Sequence, residues 1–320
     1  MQRPRRIKIS SVAITRIAPW FLLLFVFIFM LQTLAVLWPD HKFGSVFLLI
    51  IFGGICIYVF QPDWKDQAGI ETPGVKKTLK TILALGMANV LTFVLTYTLG
   101  LSAVVASALA GLIGGVFFPA YSAAIFCGSF VGMSSQAILA DIPAIFLSSL
   151  IAGVLYAMSE QWFDGIGGKL GTIAFIGSVM TGIVFQTPFS ATLVPPDVIT
   201  GTIIAVSALA AFTTWALGNF GGLGAVIASA VVGLAGGIVM PLVWPEYGEL
   251  IAVAIFCGSF AGMSSKARFS GVMMVIAGLL CGIVFAASLQ VFGGAGGKLG
   301  MTAFSVSLAV LGYQQMFDRN

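Results

Sequence analysis

The sequence predicts an all-α polytopic membrane protein of about 12 transmembrane helices, with two N-terminal helices preceding two five-helix repeats. The first observation is composition, because 59% of the 320 residues are hydrophobic and 8% are charged, against roughly 25% charged in soluble domains. The second is that apolar runs of about 17 to 23 residues, long enough to cross a membrane as helices, separate the charged clusters. The third is an internal duplication. A transmembrane β-barrel is excluded, since its strands would alternate apolar and polar residues.

The duplication is visible in three blocks of sequence that recur in the same order. The segment 126–135, F-C-G-S-F-V-G-M-S-S, returns as F-C-G-S-F-A-G-M-S-S at 256–265, which is 130 residues later. The motif G-G-K-L-G at 167–171 returns at 296–300, with its lysine 129 residues later. A third pair, A-V-V-A-S-A-L-A-G-L-I-G-G and A-V-I-A-S-A-V-V-G-L-A-G-G, precedes the first motif in each copy. The chain is therefore predicted to contain one folding unit twice.

Four regions follow from this pattern. Residues 1–60 form a basic N-terminus and a two-helix preface, residues 61–80 a hydrophilic cytoplasmic loop, residues 81–190 repeat 1 and residues 198–316 repeat 2. The first preface run is too long for a signal-peptide core and no small-residue cleavage site follows it, so an uncleaved span is expected. The predicted spans are 17–37, 44–60, 81–99, 102–118, 122–139, 143–158, 170–186, 199–217, 222–243, 250–265, 270–291 and 299–315.

An odd number of spans in each repeat predicts that the two copies are inverted with respect to the membrane, as in many secondary transporters. With both termini in the cytoplasm, most Lys and Arg residues fall on the inner side, as the positive-inside rule requires. The predicted location is a plasma membrane, specifically the bacterial inner membrane. The alternative has ten spans, two re-entrant segments at 122–139 and 250–265, and parallel repeats. Among the basic residues it moves only Lys169 to the outside.

The repeated F-C-G-S-F motif is the predicted wall of a substrate path. Its glycines lie four residues apart, a spacing that lets two membrane helices come into backbone contact. Hydroxyl groups beside such glycines can line a pore or, where a helix unwinds, help to hold a substrate or cation. The structural alternative is a tight helix crossing. The predicted path residues are Cys127, Gly128, Ser129, Gly132, Ser134, Ser135, Cys257, Gly258, Ser259, Gly262, Ser264 and Ser265.

The lysines of the two G-G-K-L-G motifs, Lys169 and Lys298, are predicted to attract anions. Each stands at the start of an apolar helix, where an ammonium group and the helix N-terminus act on an anion together. The alternative is that both side chains extend to the lipid headgroups. In inverted repeats the two lysines are expected at opposite membrane faces, which suits two vestibules better than one shared site.

Acidic residues occur only in loops and at the ends of predicted spans. A proton relay normally needs an ionisable group within the membrane, so this mechanism is disfavoured. Asp141, which precedes Pro143 by two positions, is the nearest exception and is interpreted as a cap at the interface. The phenylalanines that flank the paired glycines indicate either ordinary packing or a hydrophobic constriction that gates by dewetting.

The sequence thus favours a transporter or facilitative channel that moves a small polar or weakly anionic solute between the repeats. Enzyme motifs, metal-ligand patterns and nucleic-acid-binding patterns are missing, so we expect a non-enzyme with no cofactor and no metal. The expected partners are the lipid bilayer, the small-molecule or ion substrate, and possible further copies of this chain. The alternative function is a non-transporting scaffold or complex subunit that docks a partner through the 61–80 loop.

Overall fold

The computed structural model describes residues 11–39, 41–61, 74–190 and 195–318. Within these ranges the regular secondary structure consists of helices, and β-strands are absent. The α-helices, numbered in chain order, are α1 Ser11–Leu37, α2 Lys42–Phe60, α3 Val75–Tyr97, α4 Ala103–Phe117, α5 Ser122–Gly132, α6 Ile142–Ser159, α7 Lys169–Val184, α8 Asp197–Asn219, α9 Gly224–Val243, α10 Gly248–Gly262, α11 Gly271–Ala287 and α12 Lys298–Phe317, with a 3-10 helix at Pro119–Tyr121.

The all-helical prediction is confirmed for the described residues. Five helices there are long and apolar enough to cross a membrane, namely Arg16–Leu37, Val75–Tyr97, Ile142–Ser159, Asp197–Asn219 and Gly224–Val243. Most of the others are shorter apolar helices. Association with a membrane follows from these lengths and compositions.

Several predicted boundaries differ from the structure. The 61–80 loop ends earlier than predicted, because α3 begins at Val75, while residues 62–73 lie outside the described ranges. The third helix of each repeat is shorter than predicted, since α5 ends at Gly132 and α10 ends at Gly262.

The chain restarts as α6 after a break at 133–141. Asp141 caps α6, because its Oδ1 accepts a hydrogen bond of 2.9 Å from Ala144 N. Pro143 lies in the first turn, where its missing N–H costs nothing. The prediction that Asp141 is a cap is confirmed.

Equivalent backbone contacts occur in the two halves of the chain. A Cβ atom added to Gly128 would stand 2.7 Å from the carbonyl carbon of Leu85, and one added to Gly258 would stand 2.8 Å from that of Ser207. α5 therefore packs on α3 as α10 packs on α8. The loops before α7 and α12 also share a backbone conformation, since the equivalent residues Phe163 and Phe292 have positive φ angles of 55° and 49°.

The two halves meet through three pairs of equivalent helices. α4 crosses α9 and α7 crosses α12, while α5 and α10 meet through phenylalanine side chains. At the last crossing a Cβ atom on Gly171 would lie 2.5 Å from Gly300 Cα, so the glycines allow direct backbone contact. The preface helix α2 packs against α12, where Tyr313 Oη donates a 2.6 Å hydrogen bond to Ile50 O.

Candidate functional site

α5 and α10, which carry the repeated motif, meet through four phenylalanine rings. The Phe130 and Phe260 ring centroids are 4.4 Å apart, and Phe126 lies 6.1 Å from Phe256. All four side chains are at most 1% exposed. We call these rings, Phe126, Phe130, Phe256 and Phe260, the aromatic cluster. It fills the space between the two motifs.

The motif glycines face away from this cluster. Gly128 and Gly258 lie against the backbones of α3 and α8, and a Cβ atom on Gly132 would stand 2.7 Å from Thr92 Cβ. No solute can pass between atoms in such contact. Gly128, Gly132 and Gly258 therefore pack against neighbouring helices, and their role as path walls stays a prediction.

The first serine of each motif is also part of a packed interface. Ser129 Oγ lies 2.8 Å from Ser107 Oγ and donates to Phe126 O, and Ser259 Oγ lies 2.9 Å from Ser229 Oγ. Both serines are fully buried and neither borders the cavities described below. Their hydroxyl groups join α5 to α4 and α10 to α9.

The motif cysteines are fully buried as well. Cys127 Sγ lies 3.2 Å from Leu170 O and Cys257 Sγ lies 3.4 Å from Leu299 O. Cys127 therefore packs against the first turn of α7, and Cys257 packs against the first turn of α12.

The second serine of each motif connects the two halves of the molecule. Ser264 Oγ accepts a 2.9 Å hydrogen bond from Gly167 N, and Ser134 Oγ accepts a 3.0 Å bond from Gly296 N. Each serine therefore holds the G-G-K-L-G motif of the opposite half.

The third serine of each motif contacts the opposite half through its backbone N–H group. Ser265 N donates to Gly165 O at 3.0 Å, and Ser135 N donates to Gly294 O at 2.8 Å. The C-terminal ends of α5 and α10 are thus hydrogen-bonded to the loops that precede α12 and α7, respectively. These contacts explain why α5 and α10 end where they do.

A cavity of about 300 Å³ lies between the halves beside these contacts. Its floor includes Phe130 and Phe260 of the aromatic cluster, and one wall is the loop that precedes α7. We call it the inter-repeat cavity. Its lining residues are Ala123, Phe130, Tyr156, Glu160, Asp164, Gly165, Ile166, Gly167, Gly168, Lys169, Leu170, Gly171, Ala225, Val226, Phe260 and Met263.

A second cavity of about 270 Å³ adjoins the first and shares Asp164, Gly165, Ala225 and Met263 with it. Three of the predicted path residues, Gly262, Ser264 and Ser265, line this smaller cavity. The C-terminal end of the second motif therefore forms part of the wall of this cavity.

The ammonium groups of the two G-G-K-L-G lysines contact backbone carbonyls, and their role in attracting anions stays a prediction. Lys169 Nζ donates to Glu160 O at 3.0 Å and to Trp162 O at 2.9 Å, while Lys298 Nζ donates to Leu289 O at 3.3 Å. Each ammonium group thus binds backbone carbonyls near the end of the preceding helix, where the helix dipole is negative. Lys169 also lines the inter-repeat cavity, while Lys298 is 9% exposed.

The helices that begin with these lysines cross close to their N-termini. α7 and α12 cross at Gly171 and Gly300, two residues after Lys169 and Lys298. α7 and α12, which start at Lys169 and Lys298, therefore both begin near one crossing point. The first turns of the two helices overlap there, and the placement of the two lysines at opposite membrane faces stays a prediction.

The cavity contains polar residues that the duplication does not repeat. Tyr156, Glu160 and Asp164 line it, but the positions 129 residues later are Phe285, Leu289 and Gly293. Comparison of the two repeats could have identified these positions, because residues needed only for packing recur. Glu160 is held by an ion pair of 3.0 Å with Lys77, near the start of α3.

The equivalent loop of the second half is covered by the chain that follows α7. Ser190 N donates to Gly293 O at 3.1 Å, and the Phe189 and Phe292 rings pack edge to face at 5.3 Å. We call residues 185–190 the strap. α12 continues as a helix to Phe317, whereas α7 ends at Val184 and the chain turns into the strap. The two ends of the molecule therefore differ.

The site thus combines a cavity between the two halves with a floor of aromatic rings. The loop before α12, which is equivalent to the cavity-lining loop before α7, is covered by the strap. The residues that line the cavity come from α5, α6, α7, α9 and α10 and from the loop before α7. A search among protein-family models, curated proteins and solved structures gives no match to this chain.

Proposed function

We propose that the protein is a membrane transporter or facilitative channel for a small polar or weakly anionic solute. The observation that carries this proposal is the inter-repeat cavity, which extends between the two halves to Phe130 and Phe260. Substrate sites of inverted-repeat transporters lie at the interface of the repeats. We place the route along this cavity, on the phenylalanine face of the paired motifs.

The lining of the cavity supports a small polar solute. Residues 165–171 and the polar residues Tyr156 and Lys169 line the cavity together with the apolar rings. The carboxylate of Glu160 is partly neutralised by Lys77, which reduces its repulsion of an anion. A cavity of about 300 Å³ is at the lower end of the usual range for ligand pockets.

The proposed topology has twelve spans and inverted repeats, with both termini in the cytoplasm of a bacterial cell. Lys77 lies at the cavity through its ion pair with Glu160, and Arg268 lies beside Gly165, where a Cβ atom would stand 3.5 Å from its Nε. The positive-inside rule places such residues on the cytoplasmic side. The cavity then opens to the cytoplasm and the strap covers the opposite end.

The alternative role as a scaffold stays a prediction. It depends on the 61–80 loop, of which residues 62–73 lie outside the described ranges.

Transport can be tested with purified protein in liposomes. We expect at least one probe among urea, glycerol, formate and nitrate to equilibrate faster than in protein-free liposomes, measured by stopped-flow light scattering. Replacing Ala225 with Trp fills the mouth of the cavity and should reduce this flux about tenfold, which corresponds to roughly 1.4 kcal/mol of added barrier.

The matched control is Gly201→Trp, because the Cβ position of Gly201 in α8 has no neighbour within 4 Å. This variant should transport at the wild-type rate. Equal flux through Ala225→Trp and the wild type would reject the cavity as the route, and no flux of any probe would reject the proposed function.

A further inference from the structure

A mainly apolar groove of about 650 Å³ lies between α3 and α6. It is open at the surface, since Met87 is 74% exposed and Phe146 is 67% exposed. Because α3 and α6 are both long and apolar enough to cross a membrane, these exposed side chains contact lipid chains. We call this surface the α3–α6 groove. Its lining residues are Ile82, Leu83, Gly86, Met87, Val90, Leu91, Val94, Ile142, Ile145, Phe146, Ser149 and Leu150.

The length of the α3–α6 groove matches one leaflet of a bilayer. On α3 the groove runs from Ile82 to Val94, which is about 18 Å along the axis at a rise of about 1.5 Å per residue. Half of the hydrocarbon core of a bilayer is about 15 Å thick. A lipid whose headgroup lies near the start of α3 can therefore extend one acyl chain along the whole groove.

Two lysines continue the groove towards the start of α3. Lys80 precedes Leu83 by three residues and Lys76 precedes Lys80 by four, so all three lie on one face of the helix. Both lysines are exposed, and neither forms an ion pair with a residue that the structure describes. Side chains four residues apart on a helix are neighbours. The two ammonium groups can therefore contact one phosphate group.

The α3–α6 groove thus combines an apolar body with a positively charged end. Glu160, at the end of α6, is already paired with Lys77 at 3.0 Å. Its carboxylate therefore does not neutralise the charge of Lys76 and Lys80. An anionic phospholipid has the complementary form, because its acyl chains are apolar and its phosphate accepts charge-assisted hydrogen bonds from ammonium groups.

The second repeat lacks the two lysines. α8 corresponds to α3 with an offset of 122 residues, and Val198 and Thr202 stand where α3 has Lys76 and Lys80. The first residue of α8 is the acidic Asp197. The start of α8 therefore offers no equivalent site for a phosphate group.

The second repeat also lacks the opening between the helices. Gly278 of α11 stands where α6 has Ser149, and a Cβ atom on Gly278 would lie 2.6 Å from Ala208 Cα of α8. At the equivalent place in the first repeat, a Cβ atom on Gly86 would lie 3.6 Å from Ser149 Cβ. The open groove and its lysines therefore occur together in one half, and the shared fold does not require them.

From these observations we propose that the α3–α6 groove binds one anionic phospholipid, with an acyl chain along the groove and the phosphate group on Lys76 and Lys80. A phospholipid with the same chains and a zwitterionic headgroup binds more weakly, because its own cationic group opposes the lysines. This lipid site does not depend on the proposed transport function.

The test is photolabelling of the purified protein in phosphatidylcholine liposomes that contain a small fraction of phosphatidylglycerol with a diazirine group in one acyl chain. Mass spectrometry of peptides locates the label after illumination. We expect the label within residues 82–94 and 142–150. An excess of unlabelled phosphatidylglycerol should displace it, whereas additional phosphatidylcholine or inorganic phosphate should not.

Lys76→Gln/Lys80→Gln should reduce labelling of the groove about tenfold or more, because both charges that hold the phosphate are lost. The matched control is Lys42→Gln/Lys266→Gln, which removes the same charge from two exposed lysines that do not line the groove. This control should be labelled like the wild type. Gel filtration checks that both variants fold.

Three results would overturn the site. The first is label spread evenly over the lipid-facing helices, as expected for ordinary bilayer contact. The second is equal labelling of the groove in the wild type and the Lys76→Gln/Lys80→Gln variant. The third is a groove without label, as expected where a second copy of the chain covers it. Since no flux is measured, each result leaves the transport test unaffected.

Discussion

Replacing Gly128 with Ala should destabilise the protein by about 3 kcal/mol or more, close to the upper end of the range for overpacked cores. The new Cβ atom would meet the carbonyl carbon and Cα of Leu85 at 2.7 and 2.8 Å. These are backbone atoms of α3, which cannot rotate away as a side-chain end can. The measurement is thermal or chemical unfolding of the purified protein in detergent, with gel filtration to detect aggregates.

Gly258→Ala should have nearly the same effect, because its Cβ atom would stand 2.8 Å from both the carbonyl carbon and the Cα of Ser207. The control is Gly201→Ala in α8, where no atom lies within 4 Å. An alanine there should be neutral or stabilising by about 0.5 to 1 kcal/mol. If Gly128→Ala were as stable as Gly201→Ala, the close packing of α5 on α3 would be wrong.

Replacing Phe260 with Ala should increase solute flux by about tenfold or more, the result of lowering a barrier by roughly 1.4 kcal/mol. Phe260 and Phe130 form the floor of the inter-repeat cavity, and the space beyond them is filled by the rest of the aromatic cluster. A constriction lined by apolar rings excludes water and polar solutes. Removing one ring admits them. The measurement is the flux of the transported probe in liposomes.

Phe256→Ala separates gating from general loss of packing. Phe256 belongs to the same cluster and is fully buried, but it does not line the inter-repeat cavity. Both variants should lose about 3 to 5 kcal/mol of stability, as buried Phe→Ala changes do. Only Phe260→Ala should gain flux. An equal gain in both variants would indicate a loosened protein and would argue against Phe260 as the floor of the route.

The positions of most helices could be predicted from the sequence, because apolar runs of membrane length are a strong local signal. The ends of α5 and α10 could not. The apolar pattern after Gly132 continues to Leu139, and the chain breaks earlier because Ser134 and Ser135 bind the loop at 294–296. Contacts with a segment about 160 residues away leave no periodic signal in either stretch.

The duplicated motif lies beside the candidate site, but it supplies little of the polar lining of the inter-repeat cavity. The motif residues recur because they pack, as Gly128, Ser129 and their counterparts do. The polar lining comes from Tyr156, Glu160 and Asp164, which do not recur. Which face of α5 meets the other half is decided by tertiary packing, so the sequence pattern of one repeat could not distinguish the glycine face from the phenylalanine face.

The strap provides the most direct test of the proposed route, because it covers the end opposite the inter-repeat cavity. Ser135 Oγ and Ser190 Oγ lie 2.8 and 3.3 Å from the same point, the Cβ position of Gly294. In Ser135→Cys/Ser190→Cys the two thiols should form a disulfide when copper phenanthroline oxidises them. The bond would fix the strap to the end of α5 and hold this side closed.

The decisive measurement is the flux of the transported probe through this double variant before oxidation, after oxidation and after reduction with dithiothreitol, with the disulfide verified by mass spectrometry. We predict that flux falls about tenfold or more on oxidation, equivalent to roughly 1.4 kcal/mol of barrier, and recovers on reduction. Ser265→Cys/Ser190→Cys, with one thiol at the cavity end, should show neither the disulfide nor the loss. Undiminished flux through the fully cross-linked protein would contradict a route that runs from the cavity, past the aromatic cluster, to the strap.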